Sequence, residues 1–146
     1  MNGKIKPLNT MKLVIESRSV NESFARNTVA AFAGQLDPTV GEISDIKTAV
    51  SEAVTNCIVH AYPDKVGLIY ITAKTDESGT FTVCVKDCGT GIKDIKLAMT
   101  PLYTTQQGER AGLGFAVMES FMDRVKVHSV YGNGTKITMS KYISGK

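Results

Sequence analysis

The sequence predicts an α+β fold. A five-stranded mixed sheet, mostly antiparallel, is covered on one face by about three helices in a two-layer sandwich. Three observations predict it. Five short segments alternate apolar and polar residues, the period-two mark of strands with one buried and one wet face. Most of them are joined as hairpins through turn residues. Three longer segments repeat apolar residues at helical spacing, and those helices must cover the buried face of the sheet.

Taken in order, residues 11–17 alternate with Met11, Leu13 and Ile15 on one side and give the first strand. Asn21 caps a helix that runs to about Gly34 and packs through Phe24, Thr28, Ala31 and Phe32, until Leu36-Asp37-Pro38 breaks it. Thr39 and Glu42 form a T-x-x-E capping box for the second helix. Its apolar stripe is Ile43, Ile46, Val50, Ala53 and Cys57, and Pro63 ends it. A hairpin follows: Ile69, Ile71 and Ala73 alternate, Asp76 to Gly79 turn, and Phe81, Val83 and Val85 alternate again. Residues 88–111 contain glycines and Pro101 without a long periodic stretch, the pattern of a functional loop. A third helix is expected from near Gly112, packing through Leu113, Val117, Phe121 and Val125. A last hairpin joins Val125 and Val127 to Ile137 and Met139 through Gly132-Asn133-Gly134.

The 146 residues fit one domain, 1–146. A domain of this size buries roughly 68–70% of its unfolded surface, enough for a proper core. Apolar content of 42% and charged content of 21% are ordinary for a globular protein. Seventeen basic against 14 acidic residues leave a net charge of +3 with no Lys/Arg block, which gives little support to nucleic-acid binding. No apolar run approaches the ~20 residues of a membrane span. The N-terminal stretch M-N-G-K-I-K-P-L-N lacks the apolar core of a secretory signal. Cys57, Cys84 and Cys88 are odd in number and lack paired C-x-x-C spacing. Reduced thiols in the cytoplasm are expected, in place of a disulfide framework or a zinc site. Cys84 is expected to alternate with core residues on a strand.

Three patches carry chemistry. Glu52 and Asn56, in S-E-A-V-T-N (51–56), lie one helical turn apart, on a side well away from the apolar stripe. Such a pair taken alone is more often a solvated polar face. Its functional reading gives Asn56 to Mg²⁺ as a neutral oxygen ligand and Glu52 to an attacking hydroxyl as base. His60 continues the line without H-E-x-x-H spacing and is expected to be structural or peripheral. Asp87, in D-C-G-T-G-I (87–92), falls on the buried side by the alternation of Phe81, Val83 and Val85. A buried carboxylate needs a hydrogen-bond partner, and the exocyclic amine of adenine is one; a turn-capping Asp is the alternative. Gly89 and Gly91 beside it let a flat ring approach. Gly112-Leu113-Gly114 precedes the expected helix, whose free N–H groups suit phosphate; a hinge is the alternative. Neither a Walker A loop nor a Rossmann fingerprint is present. Thr135 shares the inward face with Ile137 and Met139, and its hydroxyl is expected to complete the bonding around Asp87.

Together these patches resemble the N, G1 and G2 boxes of the GHKL (Bergerat-fold) ATPases. The stretches N-E-S-F-A-R (21–26), V-A-A-F (29–32), P-L-Y-T-T (101–105) and E-R-A-G-L-G-F-A-V-M-E-S-F-M-D (109–123) further resemble the anti-sigma F family of small serine kinases, over nearly the whole chain. The resemblance implies ATP or ADP with Mg²⁺, a homodimer, sequestration of sporulation sigma factor F, and phosphorylation of a serine on an anti-anti-sigma factor (stage II sporulation protein AA). It implies that Glu52 is the catalytic base and Asn56 the metal ligand. Asp87 holds adenine, with Gly89 and Gly91 nearby. Thr104, Thr105 and Gly108 belong to an ATP lid, and Gly112, Leu113 and Gly114 meet the phosphates. Arg26 matches a sigma contact and Arg110 a contact to the anti-anti-sigma factor. The chain departs from the family pattern at Ala61, at Cys88 and in the Gln106-Gln107 pair of the lid. Two other readings stand beside this one: a nucleotide-responsive sigma-binding module without kinase activity, and the catalytic module of a histidine kinase.

Overall fold

Period-two patterning becomes strand and period-3.6 patterning becomes helix, in an order that decides the sheet's topology. A computed structural model describes residues 4–99 and 106–145, apart from the side chains of residues 96 and 106–113. The elements are β1 (Pro7–Glu16), α1 (Val20–Ala33), α2 (Val40–Asn56), β2 (Leu68–Asp76), β3 (Thr80–Asp87), α3 (Ile95–Met99), α4 (Gln106–Phe121), β4 (Arg124–Val130) and β5 (Gly134–Tyr142). The strands lie in the order β1-β2-β3-β5-β4.

Every ladder among the described residues is antiparallel, so the expected mixed sheet is corrected. The reason is the number of helices between strands. Two helices, α1 and α2, return the chain to the end where β1 left the sheet, so β2 enters antiparallel to it. β3 and β4 do run in the same direction, but β5 lies between them and no parallel pair forms.

One face of the sheet is buried through Ile69, Ile71, Ala73, Phe81, Val83, Val85, Ile137 and Met139. The helices cover it through Ala25, Val29 and Ala33 of α1 and Ile46, Val50, Ala53 and Val54 of α2. Cys84 sits on the opposite, half-exposed face, in step with its strand.

The capping box forms as expected. Thr39 N–H donates to Glu42 Oε1 at 2.9 Å, and Glu42 N–H donates to Thr39 Oγ1 at 3.1 Å. The Glu42 carboxylate also accepts Ser144 N–H and O–H, each at 2.8 Å, tying the chain's end to the start of α2. The Thr39 N–H bond does most to lower its pKa, to about 2. This tie contributes fully above the ordinary value of 4.5 and is lost as pH falls toward 2.

Three expectations need correction. α1 is entered at Ser19, not capped by Asn21, whose side chain instead donates to the Glu16 carbonyl at 2.9 Å. Its buried stripe is Ala25, Val29, Phe32 and Ala33, which leaves Phe24 52% exposed; small alanines let α1 lie close against α2 where Phe24 would not fit. α4 starts at Gln106 and α3 occupies part of the expected loop, because Gln106, Gln107, Glu109, Arg110 and Ala111 are good helix formers that outweigh the glycines. α4 packs through Phe115, Met118 and Met122 beyond its end, while Phe121 points outward and Val125 belongs to β4.

Candidate nucleotide site

The site is built at the end of β3, where sheet register decides what surrounds Asp87. Asp87 pairs with Ile69 on one side and Thr135 on the other, inward like Phe81, Val83 and Val85. It is 5% exposed. Its Oδ1 accepts Gly89 N–H at 3.0 Å and Thr135 N–H at 3.2 Å. Its Oδ2 lies 3.5 Å from Cys57 Sγ, whose thiol donates to it. Burial pushes the Asp87 carboxyl above its usual range, against the opposing pull of the Gly89, Cys57 and Thr135 donors. Burial first, and then Asp87 itself, holds the Cys57 thiol well above its ordinary pKa, so it is a donor here.

A small cleft opens over this carboxylate. Its walls are largely apolar: Ala61, Ile92, Phe115 and Ile137, with Gly91 at the edge. Asn56 and His60 line it as well. An apolar slot with a few convergent polar groups is the usual form of a small-molecule site.

Gly89 and Gly91 have a protein-internal reason beyond admitting a ring. A Cβ on Gly89 would stand 2.3 Å from the Ala61 carbonyl oxygen. Gly91 adopts φ +75°, and its Cβ would stand 2.5 Å from the Val130 carbonyl. The loop is held there by Thr90 N–H to the Ala61 carbonyl at 3.2 Å and Gly132 N–H to the Thr90 carbonyl at 2.6 Å. Gly89→Ala is therefore expected to lower the stability of the nucleotide-free protein by about 2 kcal/mol, as overpacking does. Thermal unfolding without ligand measures it, and an unchanged midpoint would show that the loop is not gripped this way.

Glu52 and Asn56 are not a solvated face. Both are half-buried beneath α4. A methyl on Gly114 would stand 3.2 Å from Glu52 Oε2 and 3.4 Å from Asn56 Oδ1. Asn56 Nδ2 is buried and has no hydrogen-bond partner among the described residues. An orphaned buried amide is costly and points to a missing acceptor.

Other expectations fare differently. Gly112 and Gly114 lie inside α4, not at its first turn, so their amides occupy helical positions and are not free for phosphate as drawn. Gly108, Arg110, Gly112 and Leu113 fall in the first turns of α4, and their side chains lie outside the described ones. Thr104 and Thr105 lie outside the described residues. Thr135 is buried at Asp87, but its backbone N–H makes the bond and its hydroxyl pairs with Ser129 Oγ at 2.8 Å. Inward threonines on a strand often satisfy themselves sideways in this way. His60 is not peripheral: it lines the cleft, and its carbonyl accepts the Thr90 hydroxyl at 3.0 Å. Arg26 lies at the α1–α2 seam, 3.4 Å from Glu22 Oε1 and 3.5 Å from Ser51 Oγ. Glu22 in turn accepts the Thr55 hydroxyl.

Sequence reasoning missed Cys57, Tyr62 and Ser129. Cys57 was visible only as the last member of an apolar stripe. Tyr62 Oη accepts Cys88 N–H at 2.7 Å and donates to the Leu68 carbonyl at 2.8 Å, fixing the chain just after Asp87. Ser129 accepts Ile92 N–H at 2.7 Å. Its alternation with Val125 and Val127 could have placed it inward.

Residues 15–141 match the family model described as a histidine kinase-like ATPase domain. An anti-sigma F factor of Caldanaerobacter subterraneus subsp. tengcongensis is 57% identical over 136 residues, 92% of this chain and 94% of that protein. Anti-sigma F factors of Thermoanaerobacter pseudethanolicus and Clostridium novyi are 58% and 55% identical, and each is covered over 94% of its length. Among solved structures, the RsbU and RsbW domains of a Mycobacterium tuberculosis protein superpose with a TM-score of 0.69 at 19% identity, over 94% of this chain and 32% of that one. The histidine kinase domain of a blue-light-activated kinase from Erythrobacter litoralis gives 0.59 at 18% identity, over 84% of this chain and 61% of that one. This chain thus spans about a third of the first crystallised protein, and at these identities both likenesses speak for the fold alone. Among the described residues no helix is long and apolar enough to cross a membrane.

Proposed function

We infer, for a chain that belongs to the histidine kinase-like ATPase family and within it to the anti-sigma F factors, that it holds a sporulation sigma factor inactive and phosphorylates a serine of an anti-anti-sigma factor. The observation that carries this reading is one cleft with a buried acceptor, Asp87, at its floor and a second polar pair, Glu52 and Asn56, under α4. A nucleotide needs both ends.

At the floor, Asp87 Oδ1 is already occupied by two N–H groups. Oδ2, which takes only the Cys57 thiol, keeps a lone pair to accept the 6-amino group of adenine, while Ala61, Ile92, Phe115 and Ile137 flank the ring. At the other end, Asn56 suits a magnesium–phosphate pair. Its Oδ1 is a neutral ligand of the type magnesium takes, and its orphaned Nδ2 would donate to a phosphate oxygen. Bound Mg²⁺ supplies neutralisation of phosphate charge, the main requirement of phosphoryl transfer. Glu52 takes the proton of the incoming serine hydroxyl as its oxygen bonds to the γ-phosphorus, and the bridging oxygen leaves with ADP.

The first turns of α4, with Gly108, Gly112, Leu113 and Gly114, together with Thr104 and Thr105, serve as the phosphate-facing lid. The amides of Gly112, Leu113 and Gly114 become available only if those turns open. Arg26 on α1 is the contact for sigma, Arg110 the contact for the anti-anti-sigma factor, and the working unit is a homodimer.

Incubation with γ-labelled ATP and the anti-anti-sigma factor tests the activity. Label should appear on a serine of the partner. Nucleotide-dependent sigma binding without such transfer would favour a binding module instead. Asn56→Ala is expected to weaken Mg²⁺-dependent ATP binding at least about tenfold, in line with losing a charge-assisted contact. Calorimetry with and without Mg²⁺ checks it, and equal affinities for parent and variant would remove Asn56 from the metal end.

A further inference from the structure

Among the described residues the Asp87 carboxylate has one side-chain donor, the Cys57 thiol, which takes no part in phosphoryl transfer. We propose that Cys57 is a positioning residue that sets the purine specificity of this cleft: its thiol, donated to Asp87 Oδ2, keeps that oxygen an acceptor toward a 6-amino purine and against a 6-oxo purine. The inference rests on Asp87 being the base-binding residue.

The geometry is as follows. Two backbone donors, from Gly89 and Thr135, converge on Oδ1 and fix the plane of the carboxylate. Cys57 Sγ, on a residue 1% exposed, approaches Oδ2 at 3.5 Å. Three donors thus point at one carboxylate. A donor already seated on Oδ2 leaves lone pairs, and no proton, directed into the cleft. Lone pairs meet the N–H of a 6-amino group favourably. They meet the carbonyl oxygen of a 6-oxo purine with repulsion, and a buried polar group left facing a like group is strongly disfavoured. Without the thiol, Oδ2 loses its own donor and is oriented only through the two bonds to Oδ1. Asp87 alone would then discriminate less well.

ATP and ITP differ in the 6-substituent and the adjoining ring nitrogen, so their affinity ratio reads this contact. Dissociation constants for both are measured by calorimetry on the full-length protein, parent and two variants. Cys57→Ala should lower the ATP-over-ITP preference about three- to tenfold, the range of one modest hydrogen bond. Cys57→Ser, which keeps a donor, should restore the preference. If alanine weakens both nucleotides by one factor, or serine fails to restore the ratio, Cys57 is only a core residue and the proposal falls. An Asp87→Asn control separates this from the underlying reading. If that variant binds ATP as the parent does, Asp87 is not the base-binding residue, and the proposal falls together with the reading it rests on.

Discussion

Glu52→Ala is expected to bind ATP within about twofold of the parent and to transfer phosphate to serine about 10²- to 10⁴-fold more slowly, the usual contribution of a general base. The split follows from where the residue sits. Glu52 is one helical turn from Asn56 and meets α4 near Gly114, away from the Asp87 floor proposed to hold the base. Removing its carboxylate leaves the adenine contacts and the Asn56 amide in place. Steady-state transfer of label, measured beside ATP affinity, checks it. Full turnover in the variant would remove Glu52 from the base role, and equal losses of affinity and rate would make it a binding residue.

Asp87→Asn has the opposite profile. The asparagine keeps an Oδ1 acceptor for Gly89 and Thr135, but its amide sets a donor against adenine's donor. Nucleotide affinity is expected to fall about 10- to 100-fold, the size of a hydrogen bond to a charged group. Stability moves the other way. Folding raises the Asp87 carboxyl above its ordinary value of 3.8, so the folded protein holds that proton more tightly than the unfolded chain. The contribution of this one group is then fully present below 3.8 and is lost as pH rises through the raised folded value. A neutral asparagine has no such decline, so the nucleotide-free variant is at least as thermostable as the parent at neutral pH. Unfolding midpoints across acid to neutral pH, paired with calorimetry, measure both halves. A variant that binds normally or unfolds much earlier would refute this account of the floor.

How legible this site was depends on the range of each interaction. The inward turn of Asp87 was readable because strand parity is local and exact in period: three apolar residues at 81, 83 and 85 commit residue 87 to the same face. The capping box was readable because both partners lie within one turn. The pairing of Val125 and Val127 with Met139 and Ile137 followed from turn chemistry. What failed was either long-range or a competition between weak preferences. Nothing near Phe24 says that a stripe one residue away, built on small alanines, would win the interface with α2. Gly112 and Gly114 suggested a helix start, yet five good helix formers upstream carry α4 back to Gln106. The bond from Cys57 to Asp87 spans 30 residues, and no spacing rule announces it. The Thr135 hydroxyl turned to Ser129, a choice made across two strands.

The helix that carries Glu52 and Asn56 does not run straight on to the Asp87 floor of the cleft. Between Asn56 and Tyr62 the chain makes one wide, π-type turn over Cys57–Ala61. A regular helix rotates about 100° per residue. The wide turn alters that phase, and with it the Ala61 carbonyl comes to face Thr90 while the Cys57 sulfur faces Asp87. Adjoining residues of one stretch of backbone therefore face both parts of the cleft, Asn56 beside Glu52 and Cys57 against the Asp87 that β3 supplies. Exchanging side chains along α2 can alter what Asn56 and Cys57 touch, but their distance from Asp87 answers to the register of β3 as much as to that turn.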